Sequence, residues 1–210
     1  MMVRRATNRA TANDLAIYTT ALRRIAPLDD RDIREGFDLT HVRELSRGDY
    51  LLRAGENASE VAVVVRGLLR EHFIVDGGVE RTKAFIAEGS ITGSLADLLS
   101  ARPSRAFIVT QEAARILVTD YAAYEALCAR SPAWDRFRLR AVERLLLQKA
   151  EREFELLALD AWERYAALRA AWPGIETRVA ECDIASYLGI TAVHLSRLRR
   201  RRRAQRGAPA

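Results

Sequence analysis

The feature that most restricts the fold of this chain is a long stretch without a helix-breaking residue, from Pro132 to about Leu159. Ser131 supplies a capping hydroxyl directly before a proline at the first helical position, which is a sharp signal for a helix start. The run of roughly 26 residues predicts a helix about 39 Å long. Because a small domain needs less than that to cover its own core, the helix is expected to span two domains and to pair with a second copy of the chain.

The residues before this helix have a different texture, short apolar runs separated by turn residues. A helix is expected first, from Asn13, capped by Asn13 or Asp14. About seven or eight strands then follow, which is typical of an antiparallel sandwich or barrel. Asp76-Gly77-Gly78 is a strong hairpin signal because these residues tolerate positive φ. The predicted strands cover residues 42–46, 50–53, 61–65, 68–75, 79–86, 106–110 and 114–119.

The most specific pattern in the chain lies near its end, at residues 184–198. Gly189 stands where a first helix must stop, and glycine accepts the left-handed conformation cheaply. Thr191 can cap a second helix with its hydroxyl. Ala185 is small at the point where the two helices would cross. The spacing predicts a helix-turn-helix with an apolar seam of Ile184, Leu188, Ile190, Leu195 and Leu198.

Positive charge is concentrated on the same segment. The chain has 34 basic and 28 acidic residues, and seven of the arginines lie between position 184 and the end, where there is no carboxylate. Residues 1–183 are left with 27 basic and 28 acidic side chains. Such asymmetry points to a polyanionic partner, either nucleic acid or an anionic membrane surface.

Composition excludes several other classes. The chain has two cysteines far apart, Cys128 and Cys182, which fits a reducing cytoplasm and not a disulfide scaffold. No apolar run is long enough for a membrane span. An iron–sulfur cluster needs about four thiolates, and His41 and His72 are weak candidates for a haem ligand. Metal-ligand spacing, a nucleophile–base pair and a phosphate loop are not found, so we expect neither a metal site nor an enzyme.

The order of these patterns resembles the Crp/Fnr superfamily of bacterial transcription regulators. The resemblance covers nearly all of residues 13–203 and implies an α+β fold: an antiparallel β-roll (jelly-roll) N-terminal domain, a long dimerisation helix and an all-α helix-turn-helix C-terminal domain. The expected divisions are a flexible extension (1–12), the roll with flanking helices (13–130), the dimerisation helix (131–159) and the DNA-binding domain (160–210). The matching motifs are Gly48-Asp49, Gly55-Glu56, the strand that ends at Gly67, Gly89 with Gly93, Pro103-Ser104, Ser131-Pro132-Ala133-Trp134, Ala161-Trp162-Glu163-Arg164-Tyr165 and residues 184–200.

The resemblance implies a homodimer that binds double-stranded DNA at inverted half-sites about one helical turn apart, with RNA polymerase as a further partner. His194 and Arg197 are the candidates for base edges, and arginine suits a bidentate contact to guanine. Thr191 caps the recognition helix and can touch a phosphate, while Ser196, Arg199 and Arg200 are candidates for phosphate contacts. Ala192 and Val193 are apolar, which favours contact with a thymine methyl group.

The resemblance also supplies a test for a nucleotide effector. In nucleotide-binding members of the superfamily, a glutamate holds the ribose and an arginine pairs with the cyclic phosphate. Ser94 stands at the glutamate position, and Ser104 stands at the arginine position if Ala106 aligns with the motif's alanine; in a shifted register Arg102 or Arg105 could supply the cation instead. Cyclic AMP or GMP is therefore disfavoured, and no cofactor is expected. The roll then takes another, unidentified small-molecule effector or serves only as a structural and dimerisation module. The candidate pocket residues are Gly93, Ser94, Leu95, Arg102, Ser104 and Arg105.

A rival interpretation comes from another functional class. The chain would be a ligand-binding regulatory subunit whose basic tail docks on an acidic protein or a membrane. Binding to duplex DNA with a strong inverse salt dependence and a palindromic preference would favour the transcription regulator. Uniform binding to any polyanion would favour the rival.

Overall fold

The computed structural model describes residues 9–207, with side chains described for residues 9–202. Its helices are α1 (Ala12–Arg23), α2 (Asp30–Asp38), α3 (Leu95–Ser100), α4 (Tyr121–Arg130), α5 (Pro132–Ala158), α6 (Ala161–Ala171), α7 (Glu181–Leu188) and α8 (Ala192–Gly207). Its strands are β1 (His41–Leu45), β2 (Tyr50–Leu52), β3 (Glu60–Arg66), β4 (Leu69–Val75), β5 (Val79–Ile86), β6 (Ile91–Thr92), β7 (Ala106–Thr110) and β8 (Ala114–Asp120). Among the described residues, no helix combines the length and apolarity needed to cross a bilayer.

The strands form two four-stranded sheets, which confirms the predicted roll. One sheet has the order β1-β8-β3-β6 and the other β2-β7-β4-β5. β8 pairs antiparallel with both β1 and β3 in the first sheet. The chain moves repeatedly from one sheet to the other, as in a jelly roll. Gly77 and Gly78 both have positive φ in the turn between β4 and β5, as the hairpin signal required.

Alternation along β3 explains how the roll is filled. Val63 and Val65 belong to a cluster with α1, α2 and the start of α5. Ala62 and Val64 point the other way, into a second cluster with Ile108 on the facing sheet. Since successive side chains of a strand face opposite sides, both faces of β3 are buried. This double burial is why residues 61–65 carry no charged side chain.

The start of α5 anchors the helical layer of the roll. Ser131 accepts a hydrogen bond from the backbone N–H of Trp134 at 3.4 Å, and Pro132 is the first helical residue, as predicted. The indole N–H of Trp134 donates to the carbonyl of Asp32 at 3.1 Å. Trp134 is 2% exposed, and Gly36 of α2 leaves the space for its ring, since a Cβ there would lie 2.2 Å from Cζ2.

The N-terminal helix begins at Ala12, one residue earlier than we predicted. Thr11, not Asn13 or Asp14, is the cap, and it accepts a hydrogen bond from the backbone N–H of Asp14. Asp14 completes a capping box by accepting from the backbone N–H of Thr11 at 2.7 Å. The two side chains therefore accept hydrogen bonds from backbone N–H groups at the helix start that have no partner within the helix. The predicted flexible extension, residues 1–12, lies mostly outside the described residues.

The described residues divide into two compact units. The first runs to Glu71 and resumes from Phe85 to Leu147, so it holds most of the roll and the first half of α5. The second comprises His72–Ala84, the turn region of the β4–β5 hairpin, together with the chain from Gln148 onward. The second half of α5 therefore belongs with the C-terminal helices.

Candidate nucleic-acid interface

The turn between α7 and α8 has the geometry that the sequence predicted. Gly189 ends α7 with φ 73°, in the left-handed region. Its N–H donates to the carbonyl of Ser186 at 3.1 Å, and the N–H of Ile190 donates to Ala185 at 3.0 Å. These two bonds form a Schellman motif, which satisfies the last carbonyls of the helix. Ala185 is 1% exposed, so the small side chain lies inside the domain.

Two arginines from other helices bind the last carbonyl groups of α7. Arg164 of α6 donates from Nε to the carbonyl of Leu188 at 3.0 Å. Arg152 of α5 donates to the carbonyl of Tyr187, and its guanidinium lies 3.9 Å from the centre of that residue's ring. Cations are favourable at a helix C-terminus because the exposed carbonyls carry partial negative charge. The turn of the helix-turn-helix is therefore held by side chains as well as by its glycine.

Thr191 caps α8 as predicted. Its Oγ1 accepts a hydrogen bond from the backbone N–H of His194 at 3.2 Å. The seam beneath the helix is well filled, with Ile184 1% exposed and Leu188 and Leu195 fully buried. The cap and the seam fix where α8 begins and which of its faces is turned outward.

The outward face of α8 carries a stripe of three residues at helical spacing. Val193, Arg197 and Arg200 lie four and three residues apart and are all exposed. His194 and Ser196 are exposed on either side of this outward stripe. Val193 is 60% exposed, so an apolar side chain lies at its N-terminal end. The structure thus brings together four of the six predicted DNA-binding residues on one surface.

The side chain of Arg199 is not part of the outward stripe. Its Nε donates to the phenol oxygen of Tyr165 at 2.8 Å, and its Nη2 donates to Glu176 at 3.0 Å. A second carboxylate, Glu181, is 3.4 Å from Nη1. Tyr165 also donates to Glu176, and burial raises its pKa, so the phenol stays protonated. We predicted a phosphate contact for Arg199, but its guanidinium is bound by groups of its own domain.

Arg202 behaves like Arg199, three residues further along the same face. Its guanidinium lies 5.1 Å from the ring centre of Trp162 on α6. The guanidinium of Arg199 lies 5.0 Å from the ring centre of Tyr165, three residues after Trp162. Two cation–π contacts at matching spacing therefore join α8 to α6. Asp160 caps α6 and forms a capping box with Glu163, whose backbone N–H lowers the pKa of the Asp160 carboxyl.

A contact that the sequence did not indicate joins the hairpin to the helix-turn-helix. Ser186 of α7 donates its hydroxyl to the carbonyl of Glu80 at 2.8 Å and accepts a hydrogen bond from the backbone N–H of Thr82 at 2.8 Å. One serine side chain thus bonds to two backbone groups of β5. The partners are more than 100 residues apart in the chain, so no local pattern could reveal them.

The candidate ligand pocket lies within the first unit. A cavity of about 260 Å³ is lined by side chains that include Arg43, Glu56 and Glu60, and Gly93 and Ser94 are on its wall. The other predicted pocket residues are not part of this lining. Leu95 begins α3, Ser104 is buried two residues before β7, and Arg102 and Arg105 are exposed on the same loop. Asp97, which sequence reasoning missed, lies between Ser94 and Ser104 and accepts a hydrogen bond from each.

Comparisons with known proteins agree with this architecture. Residues 42–131 match the family model of the cyclic nucleotide-binding domain. A comparison with curated protein sequences finds no match. Similar solved structures include FixK2 from Bradyrhizobium japonicum, with a TM-score of 0.69 and 18% identity over 79% of this chain and 85% of that one. The c-di-GMP responsive global regulator CLP from Xanthomonas campestris has a TM-score of 0.69 and 16% identity, covering 87% of this chain and 95% of its own. The N-terminal domain of a transcriptional regulator from Streptomyces coelicolor A3(2) has a TM-score of 0.53 and 25% identity, covering 62% and 95%.

Proposed function

We propose that this chain, which fits the Crp/Fnr superfamily in its roll and in its C-terminal helices, is a sequence-specific DNA-binding transcription regulator. The observation that carries the proposal is the outward stripe of α8, with Arg197 and Arg200 exposed on a helix whose start is fixed by Thr191. A helix of this kind enters the major groove with its N-terminal side chains against the base edges. The function is regulatory and not enzymatic.

Each side chain of the stripe has a different proposed role. Arg197 reads a guanine through a bidentate contact, and His194 contacts a neighbouring base edge. Val193 contacts a thymine methyl group, since it is the exposed apolar residue nearest the helix start. Ser196 and Arg200 bind phosphates and fix the register of the helix on the duplex. For Arg199 we propose a positioning role, because its hydrogen bonds to Tyr165 and Glu176 orient α8.

Dimerisation is proposed from the exposed apolar face of α5. Leu139, Val142, Leu146, Ala150, Phe154 and Leu157 follow one another at steps of three or four residues, and all are exposed. Leu146 is 66% and Leu157 80% exposed, which is unusual for leucines that recur on one face of a helix. Pairing this face with the same face of a second copy would bury it in a coiled-coil-like seam. Two recognition helices would then meet inverted half-sites, and RNA polymerase would be the partner of the bound dimer.

The experiment that tests this function is a binding titration on duplex DNA. Arg197→Ala should weaken binding to the preferred duplex and relax the preference at one base position by roughly 1–3 kcal/mol. Equal weakening on all duplexes would show that Arg197 binds a phosphate and reads no base. Heparin and anionic vesicles serve as competitors in the same assay. If they compete as well as the preferred duplex does, the basic tail docks on polyanions in general and the rival function is correct.

A further inference from the structure

Three side chains of the roll, two of them buried serines and one a partly buried aspartate, form a cluster where α3 meets the loop before β7. Ser94 Oγ donates to Asp97 Oδ2 at 2.5 Å, and Ser104 Oγ donates to the same oxygen at 2.7 Å. Ser94 is 4% and Ser104 3% exposed. We call Ser94, Asp97 and Ser104 the serine–aspartate cluster. A carboxylate of the protein itself therefore joins the residue before α3 to a residue two positions before β7.

The hydroxyl protons of the cluster are directed at acceptors of the protein. A serine hydroxyl has one proton to donate. Ser94 precedes α3 and makes no capping bond to its backbone; its hydroxyl donates to Asp97. The Ser104 hydroxyl lies within reach of Asp97 and of the Ala106 carbonyl at 3.1 Å, and its oxygen accepts from the Ala106 N–H at 3.0 Å. An anionic ligand would have to displace the carboxylate to obtain either proton.

The adjoining cavity has the wrong charge for an anion. Its described lining contains two carboxylates, Glu56 and Glu60, and one guanidinium, Arg43. Arg43 is bound by Glu60 through two hydrogen bonds, of 2.6 and 2.9 Å. Asp97 adds a further negative charge directly behind Ser94, a residue of the wall. These carboxylates would repel an anionic ligand, and a partly enclosed site screens that repulsion less than water does.

We infer that the Asp97 carboxylate occupies the place at which a roll of this family would hold an anionic ligand group. Asp97 then connects α3 to the loop before β7 without an effector. The residues present do not fit a cyclic nucleotide. In the register that aligns Ala106 with the family's alanine, positions 94 and 104 carry hydroxyls in place of the expected carboxylate and guanidinium, and both hydroxyls are turned to Asp97. Arg102 and Arg105, which a shifted register would use, are exposed on the loop and are not part of the cavity lining. The regulatory meaning of this inference rests on the proposed function. Ligand binding itself is measured without DNA, so either idea can fail alone.

The direct test is calorimetric titration of the full chain with cyclic AMP and with cyclic GMP. We expect no binding heat up to about 1 mM nucleotide and no change in the midpoint of thermal unfolding. Saturable binding of either nucleotide to the unaltered chain at micromolar concentration would overturn the inference. This titration needs no variant, so it remains decisive where a substitution prevents folding.

Paired variants test whether Asp97 is what keeps an anion out. Ser104→Arg alone should not bind cyclic AMP, because the new guanidinium would pair with Asp97. Asp97→Asn combined with Ser104→Arg leaves the guanidinium for the ligand, so binding should tighten at least about tenfold over either single variant. Equal binding by Ser104→Arg alone, or no binding by the folded double variant, would contradict the role of Asp97.

A separate readout tests whether the cluster holds the two segments together. Asp97→Asn should increase amide hydrogen exchange in residues 95–105, whereas Asp38→Asn, at an exposed carboxylate that ends α2, should not. Unchanged exchange in Asp97→Asn would show that the cluster does not hold α3 to the loop. A titration with cyclic AMP that slows exchange in the unaltered chain would also count against the inference.

Discussion

The neighbouring arginines Arg199 and Arg200 should respond in opposite ways to replacement by alanine. They are adjacent on α8, so both substitutions change helix propensity equally. Arg199 turns inward to Tyr165 and Glu176, whereas Arg200 is exposed on the outward stripe. Any difference between the two variants therefore reports the face of the helix and not the loss of an arginine as such.

The structure gives the expected magnitudes. Arg199→Ala removes a hydrogen bond to a phenol that is 3% exposed, a hydrogen bond to Glu176 and an ion pair with Glu181. Because the Arg199 side chain is itself 23% exposed, solvent weakens these interactions, and the loss in unfolding free energy should be about 1–3 kcal/mol. Arg200→Ala should change the unfolding free energy by no more than about 0.5 kcal/mol.

In DNA binding, Arg200→Ala should have the larger effect of the two variants and Arg199→Ala the smaller. Arg200→Ala removes one phosphate contact, so the slope of log K against log salt should become shallower by about 0.9. Arg199→Ala should keep the slope of the unaltered protein at temperatures where it is folded. Urea unfolding and fluorescence anisotropy at several salt concentrations measure the two effects. A stable Arg199→Ala with a reduced slope, beside a destabilised Arg200→Ala, would refute the assignment of the faces.

Three further predictions concern the rest of the fold. Gly36→Ala should lower the unfolding free energy by about 1–3 kcal/mol in urea, although alanine usually favours a helix, because its Cβ would overlap the indole ring of α5; a stabilised variant would contradict the packing. The hydrogen bond from Arg115 lowers the pKa of Asp14 to about 2, so the stability that the Asp14 carboxylate contributes is complete above the unfolded value of 3.8 and is lost as the pH falls towards 2. Over that pH range the urea midpoint of Asp14→Asn should therefore decline less than that of the unaltered protein. Parallel curves for the two proteins would contradict this contribution of Asp14. Leu146→Glu should give monomers in sedimentation velocity, whereas Gln148→Glu, on the opposite face of α5, should not; an unchanged dimer in both would exclude the proposed seam.

Local rules were sufficient where a group and its partner are close in the sequence. Asp120 caps α4 by accepting a hydrogen bond from the backbone N–H of Ala123, three residues on. Gly189 ends α7 through bonds that span only a few residues. The start of α1 was also a local signal: Thr11 and Asp14 have the spacing of a capping box, which the prediction from Asn13 overlooked.

Contacts between distant segments explain what the sequence did not reveal. β6 is a strand of two residues that exists because it pairs with Ala62 and Val63 of β3. The run of arginines from position 199 to 203 appeared uniform in the sequence. Contacts with the aromatic residues of α6 distinguish Arg199 and Arg202 from Arg200, and Arg199 is also paired with Glu176 and Glu181. In the roll, the exchange of a charged pair for two serines was readable in the sequence, but the carboxylate that joins those serines was not.

The most direct measurement of the central claim is selection of bound duplexes from a random-sequence pool by the full chain. We expect enrichment of an inverted repeat whose half-sites lie about one helical turn apart, with a guanine in each half-site that Arg197→Ala no longer selects. Enrichment of a sequence that is not an inverted repeat would contradict binding by a symmetric dimer. A pool that remains random after selection, while the protein still binds every duplex at low salt, would contradict sequence-specific recognition by α8.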